Sequence, residues 1–524
     1  MDNEEFLSYI KRAFELKEQE SYKQAIEMFY KALSIEPDNE EILYQLGELY
    51  LRMKNYARAI QYPEQILSDD ECNIRALKLL ADIYFAQNNI YAAKETAEKI
   101  YSLEPAEDSL LVLIKANGKL NMLENLEDYK AEIKNSGKCL YECANYYRLN
   151  MDLANAEEYI NLALEKDAEN SDYKILKGEI LFDKGEFQQA EMLFNNFDKN
   201  STNPKVLNYQ GLFYMEKEDF IEAIKCFSKA VSIDKKESKY YFNLGNAYFL
   251  NGWIEESVAA YKNAINCSPD NVEYRYSLAY LYYKNGDYDK AKVEVELILS
   301  VKPDHSGANV IKALLLTEKE NYIEAEKILL RNVENGCEDE FTLSAIAKTE
   351  KELSKYNQAK NYINKILQKN PNNLSVLCDL LEIYIKEKSY TDAVKLADKI
   401  TDINENYLEG YILGAMAAYE AGDNEKLKIF AQNILAIDMN CADGYFYLSL
   451  ARKQEEDFDE AIECLKRAII CDANNAKYYA QMADLYNSKG DIKTAFDYVK
   501  EAENIDDSEE YKVLYKQYAA KNRK

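Results

Sequence analysis

The sequence predicts an all-α solenoid of stacked helical hairpins, and three observations carry that expectation. A unit of 34 residues recurs along the chain, two of its positions are almost always small, and most prolines fall on one phase of the same period. Composition agrees: 16 Gly and 7 Pro in 524 residues leave few turn-formers, while Ala, Leu, Ile, Tyr, Lys and Glu dominate.

From residue 204 onward, nine units follow without insertion, starting at 204, 238, 272, 306, 340, 374, 408, 442 and 476. Upstream, units start at 6, 40, 74, 137 and 171. The eighth position reads Ala13, Gly47, Ala81, Ala144, Gly178, Gly211, Gly245, Ala279, Ala313, Ala347, Leu381, Ala415, Ser449 and Ala483, small in thirteen of fourteen units. The twentieth is alanine in twelve of fourteen, the exceptions being Ser257 and Leu427. Small residues at both places let two antiparallel helices approach closely. Pro37, Pro105, Pro269, Pro303 and Pro371 share position 32, where one unit must end and turn into the next.

Within a unit the apolar residues recur at helical spacing. In 273–285 they are Tyr274, Leu278, Leu281 and Tyr282; in 288–301 they are Tyr288, Ala291, Val295, Ile298 and Leu299. Short polar turns such as Asn251-Gly252 and Lys284-Asn285-Gly286-Asp287 separate the two helices. One hairpin cannot bury both of its apolar faces, so hairpins must stack.

Two places depart from the pattern. Residues 108–136 fill a slot of only 29 residues in which the two small positions cannot be placed. The plain reading is a decayed repeat that still stacks; the sharper one is a hinge between an N-terminal block of three repeats (1–107) and a main block of eleven (137–509). Pro63 falls at position 24, mid-way through a second helix, and predicts a kink there. The last segment, 510–524, reads as a capping helix with an apolar side of Val513, Leu514, Tyr518 and Ala519 and a basic end of Lys521, Arg523 and Lys524.

Leu244-Gly245-x-x-Tyr248, Gly286-Asp287-Tyr288-x-x-Ala291 and the position-32 proline together resemble the tetratricopeptide repeat, over roughly residues 6–509. The resemblance implies about fourteen repeats plus one degenerate unit, wound as a right-handed superhelix that holds other proteins on a wall formed by the first helix of each hairpin. By that analogy the partner-facing positions are 2, 5, 9, 12 and 13. They select Phe242, Asn246 and Phe249, with Asn243 at position 6, in one unit, and Tyr276, Tyr280, Tyr283 and Lys284 in the next. Rings contribute apolar area at little entropic cost and an amide pairs with peptide backbone, which suits an extended peptide. Tyr248 and Tyr282 read instead as packing residues.

The resemblance also carries an exclusion. Chaperone-binding members clamp a C-terminal carboxylate with Lys at position 5 and Asn at position 9, followed by Asn at position 6 of the next unit. Here Asn246 is followed by Ser277, and Lys78 by Asp82, so the clamp is not intact. An asparagine ladder of the protein O-GlcNAc transferase kind is not continued from Asn243 by Tyr209 or Ser277.

Acids outnumber bases 93 to 65, a net charge of −28, which disfavours nucleic acid and anionic lipid and favours partners with basic segments. The acidic start MDNEEFLSYI predicts no signal peptide, and no 18-residue apolar run predicts a membrane span. Ten scattered cysteines without a CxxC pair, and a single His, predict no zinc site, no cofactor and reduced thiols in a cytoplasmic protein. No phosphate-binding glycine loop or metalloprotease motif occurs, and His305 in the loop Lys302-Pro303-Asp304-His305 reads as a solvated turn residue. The expected function is a non-enzymatic scaffold or adaptor; the alternative is a regulatory or substrate-recruiting subunit whose catalytic chain is separate.

Overall fold

Every repeat start inferred from 40 onward coincides with the first residue of a helix. In the computed structural model, which describes residues 2–197 and 201–522, first helices begin at Glu40, Ile74, Gly137, Ser171, Pro204, Ser238, Val272, Ser306, Glu340, Leu374, Leu408, Ala442 and Ala476. Each is followed by a second helix, as in Val272–Lys284 and Tyr288–Val301, and among the described residues there is no strand. The chain divides into two compact units, Met1–Ala260 and Tyr261–Lys524.

The side chains at position 20 are all fully buried, from Ala25 to Ala495, and Leu427 and Ser257 share that burial. Ser257 Oγ donates to the carbonyl of Gly245, 2.8 Å away, so position 20 touches position 8 backbone to side chain. The glycines at position 8 answer to a second partner, position 24. A Cβ added to Gly178 would lie 2.5 Å from the Phe194 ring, and one added to Gly211 would lie 2.6 Å from the Phe227 ring. Where position 8 is alanine, position 24 is mostly aliphatic (Ala144 with Ile160, Ala279 with Val295, Ala313 with Leu329). The one large residue at position 8, Leu381, has only Ala397 at position 24, and both are buried in one cluster. In these pairs a larger residue at one position meets a smaller one at the other, but the match is not uniform, since Ala13 faces Phe29 and Ala81 faces Ala97.

The turn inside each hairpin places position 15 in the left-handed region. Gly185, Gly252, Gly286, Gly422 and Gly490 do so at no steric cost, but Glu20, Lys54, Asn88, Met151, Glu218, Glu320, Ser354, Lys388 and Glu456 adopt φ between 57° and 63° at the same place. Between repeats, the residue before most first helices caps the helix; Tyr407 and Cys441 do not. Asn39, Asn73, Asn203, Asn271, Asn373 and Asn475 accept from backbone N–H groups of the first turn. His305 occupies that same position, which corrects its reading as a solvated turn residue. It is 7% exposed; Nδ1 accepts from Ala308 N at 3.1 Å, and Nε2 lies 3.3 Å from Glu273 Oε1. An imidazole nitrogen replaces the asparagine oxygen, and capping the helix draws the ring inward.

Pro63 interrupts its helix as expected. The second helix of that repeat is split into Tyr56–Ala59 and Gln61–Asp69, because Pro63 has no N–H for the Ala59 carbonyl. In 107–135, a full first helix, Glu107–Lys119, is followed by a 3₁₀ turn, Leu123–Tyr129, and the short helix Lys130–Asn135. With so little second helix, Glu107–Lys119 packs directly on Gly137–Leu149, and a Cβ on Gly118 would sit 2.3 Å from the Tyr146 ring. Gly118, at position 12 counted from Glu107, is small for a different contact from the two register positions, one with the next first helix. Leu113, Leu126, Ile133, Leu140 and Ile160 share one buried cluster across this segment. At the other end, Glu509–Asn522 covers the last hairpin with Tyr518, Leu514 and Tyr515 against Ala483, Ala495 and Val499. Val513 does not join that face and is 42% exposed; Lys521 lies over the Tyr518 ring, and Arg523 and Lys524 lie outside the described residues.

Candidate protein-binding surface

In the first unit, the helix Ser238–Leu250 is capped by Glu237, whose side chain accepts from Lys239 N. Tyr240, Leu244 and Ala247 are buried, Phe242, Asn246 and Phe249 are half-buried, and Leu250 is exposed. Asn243 is buried and donates through Nδ2 to Asn208 Oδ1 at 2.7 Å. Asn208, itself 2% exposed, stands at position 5 of the preceding repeat, one residue before Tyr209. The amide of Asn243 therefore holds two repeats together. It does not face solvent, and its rung joins position 6 of one repeat to position 5 of the repeat before.

In the second unit, Tyr276, Tyr280 and Tyr283 on the helix Val272–Lys284 are half-buried and Lys284 is exposed. The Tyr276 ring fills the space over Gly307, where a Cβ would come within 2.5 Å, and its centre lies 5.3 Å from that of His305. Burial pushes its hydroxyl up to about 12. Tyr280 meets Phe341 edge to face at 5.6 Å, and its hydroxyl is likewise raised by burial. Burial and the neighbouring Glu318 carboxylate raise the Tyr283 hydroxyl further. All three tyrosines stay neutral across the physiological range, as hydrogen-bonding rings and not as anions.

Positions 9 and 12, read by analogy as partner-facing, are engaged with one another at four junctions. Arg148 at position 12 bonds Glu179 at position 9 of the next repeat (2.7 Å) and also Asp183 (2.6 Å). Lys17 bonds Glu48 at 2.7 Å, Lys351 bonds Glu382, and Lys453 bonds Asp484. Lys351 is 6% exposed; burial opposes its charge, but Glu382 and Asp379 hold it ionised, while burial raises the Asp379 carboxyl. Such pairs set the stagger of neighbouring hairpins, since removing one partner strands a buried charge. No sequence motif marks them, because the partners lie about one period apart on different helices.

A cavity of about 640 Å³ opens on first-helix faces within the second unit. Ile385, Met416, Tyr419, Phe446, Leu450 and Gln481 line it from four successive first helices, at positions 12, 9, 12, 5, 9 and 6. Tyr511, Val513 and Leu514 of the C-terminal helix close one side, which is where the exposed Val513 points. The cavity also carries Glu420, Glu510 and Lys477, whose ammonium lies 4.4 Å from the centre of the Phe446 ring. Gln481 Nε2 is buried there without a hydrogen-bond partner. Apolar walls with a few polar groups are what a bound side chain needs. The sequence reading missed this cavity, which requires the C-terminal helix and four repeats at once.

Among the described residues no group of three or more His, Cys, Asp or Glu is placed to hold a metal ion. The ten cysteines are unbridged, and burial raises the Cys139 and Cys143 thiols. No helix among the described residues is long and apolar enough to cross a membrane.

Tetratricopeptide repeat models match residues 16–71, 74–107, 211–252, 245–286, 442–470 and 476–509, and a model of the N-terminal repeat region of Psidin matches 273–408. A TPR repeat-containing protein of Methanocaldococcus jannaschii is 25% identical over 241 residues, 44% of this chain and 38% of that protein, so the match spans well under half of the relative's length. The crystal structure of the APC/C hetero-tetramer Cut9-Hcn1 aligns at 15% identity over 92% of this chain and 96% of that one, with a TM-score of 0.52; a likeness at that identity speaks to the fold alone. Repeats of this kind are generally non-catalytic interaction modules. With repeat models matching several segments between residues 16 and 509 that together cover more than half of the chain, and helices beginning at the inferred repeat starts, the chain belongs to the tetratricopeptide repeat family.

Proposed function

We propose that the chain is a non-enzymatic scaffold that holds segments of partner proteins on its first-helix faces. The observation that carries this reading is the 640 Å³ cavity, lined at positions 5, 6, 9 and 12 of successive first helices. A bulky apolar or aromatic side chain would enter between Met416, Phe446 and Leu450, with its backbone or a polar tip within reach of the unpartnered Gln481 amide. Two further patches belong to the same reading, each by itself: Phe242, Asn246 and Phe249 in the first unit, and Tyr276, Tyr280, Tyr283 and Lys284 in the second. The acidic balance of the chain favours partner segments rich in Lys and Arg.

The test is a set of three immobilised proteins with equal helicity: wild type, Phe242→Ala/Asn246→Ala/Tyr276→Ala/Tyr280→Ala, and Tyr419→Ala/Gln481→Ala. Partners retained by wild type and lost from one variant place binding on that variant's face. Retention of the same partners by all three proteins would move binding away from the first helices and defeat the proposal.

A further inference from the structure

Position 7 of the first helix normally closes the seam against the preceding second helix. Leu244 packs with Ala223 and Phe227, Ile346 with Ala325 and Leu329, and Leu380 with Ile363 and Ile366. In the repeat that begins at 306 this position is Lys312, and its side chain is exposed. The seam between Tyr288–Val301 and Ser306–Thr317 is left open as a result. It holds a cavity of about 320 Å³ floored by Tyr288, Val295, Leu299, Leu315 and Leu316. Past Leu299 and Lys312 it continues into a second cavity of about 430 Å³, reaching Pro303 and Ile328. Val293, Leu297 and Val301, exposed by 55%, 44% and 74%, lie on the opposite side of that second helix from Val295 and Leu299 and do not line the seam. The seam's own apolar floor, left open between two helices, is a place where a partner's apolar side chains can be buried.

The charges around this seam run against the rest of the chain. Lys292, Lys312, Lys319, Lys327 and Arg331 line the two cavities, against Glu296, Asp304 and Glu324. Five cations less three acids is an excess of two positive charges, on a chain whose net charge is −28. Among the described residues only Lys292 of the five has a carboxylate close by, Glu296 at 3.7 Å. Many cations elsewhere on the chain also lack a close carboxylate, so what sets this seam apart is the local excess of positive charge beside an apolar floor on an otherwise acidic chain. An anionic partner is repelled by the surface at large and attracted at this seam, which gives both orientation and specificity.

We propose that this seam docks an acidic amphipathic helical segment of a partner protein. Its apolar side chains would lie on Val295, Leu299 and Leu315, and its carboxylates would meet Lys312, Lys319, Lys327 and Arg331. The bounding helices, of 14 and 12 residues, are about 20 Å long, which matches three to four turns of a guest helix. This surface is separate from the first-helix faces and does not depend on the reading given for them.

The test uses the full chain and a fluorescein-labelled 14-residue helical peptide with leucines on one face and glutamates flanking them. Two counterparts carry lysine for each glutamate, or serine for each leucine. Anisotropy is expected to show binding of the glutamate–leucine peptide, weakened by salt and absent with the lysine peptide. Lys312→Glu/Lys319→Glu should weaken it by about tenfold or more, and Lys327→Ala/Arg331→Ala by about threefold. Tyr419→Ala/Gln481→Ala should leave it unchanged. If the charge-reversed double variant fails to fold by circular dichroism, the Lys327/Arg331 variant decides alone. Equal affinity of wild type and the folded variants would overturn the proposal. So would equal binding of the serine peptide, which would reduce the site to charge attraction. Binding of phosphatidylserine vesicles in place of the peptide, lost in the same variants, would assign the seam to a lipid surface instead.

Discussion

Replacing Gly211 by alanine tests whether paired volume at positions 8 and 24 governs the hairpin. The new Cβ would lie 2.6, 2.8 and 2.9 Å from three atoms of the Phe227 ring. Carbon atoms in contact rest about 3.5–4.0 Å apart, so the ring must retreat by roughly 1 Å. Phe227 is fully buried among Ala223, Ile224, Leu244 and Ala247 and has nowhere to go. Overpacking of this kind costs about 1–3 kcal/mol, while Gly→Ala inside a helix returns about 1 kcal/mol. The expected net is a loss of about 1 kcal/mol. The decisive comparison adds Phe227→Leu, which reproduces the Ala313/Leu329 pair found three repeats further along. Alone, Phe227→Leu leaves a void and costs about 1–2 kcal/mol; with Gly211→Ala the void is filled, and the double variant should be more stable than the sum of the two predicts. Urea unfolding followed by circular dichroism gives the global value, and amide exchange over 204–233 reads the hairpin itself, since repeat arrays open locally. A Gly211→Ala chain as stable as wild type, or strict additivity in the double variant, would refute paired-volume packing.

Three further outcomes are expected. Glu218→Gly should raise stability by about 0.5–1 kcal/mol, because Glu218 holds φ 58° where glycine pays no steric cost; a loss in thermal unfolding would contradict it. Burial and the nearby Glu326 carboxylate push Glu350 up to about 7, with Lys355 at 3.8 Å as partial relief. Its folded value thus lies above the unfolded one, so its stabilisation is complete below about pH 4.3 and is lost as pH rises through 7. Glu350→Gln should flatten that slope and be the more stable chain at pH 8, by about 1–2 kcal/mol once solvent screening is allowed for; parallel pH–stability curves would exclude it. We also propose that 108–136 is a hinge between 1–107 and 137–509, with faster amide exchange than its flanking repeats; uniform protection across 100–145 would rule that out.

The period, the hairpins and the repeat starts were legible because each follows from residues within one 34-residue window. Thirteen small side chains on one phase and five prolines on another leave no second register. Gly118 escaped because its position, 12 counted from Glu107, is not one the register marks as small, and only its contact with Tyr146 identifies it. Position 15 escaped for a different reason: glycine marks a left-handed turn when present, but nine of these turns are made by residues that carry no such mark. What only the tertiary structure decided are relations between windows. Arg148 with Glu179, Asn243 with Asn208, and His305 as a cap beside Glu273 join residues about one period apart, where a single side chain says nothing of its partner. The two candidate binding surfaces are of that kind as well. A lysine at position 7 or a leucine at position 9 has no meaning as a site until neighbouring helices stand beside it, because a cavity belongs to the space between repeats and not to any one of them.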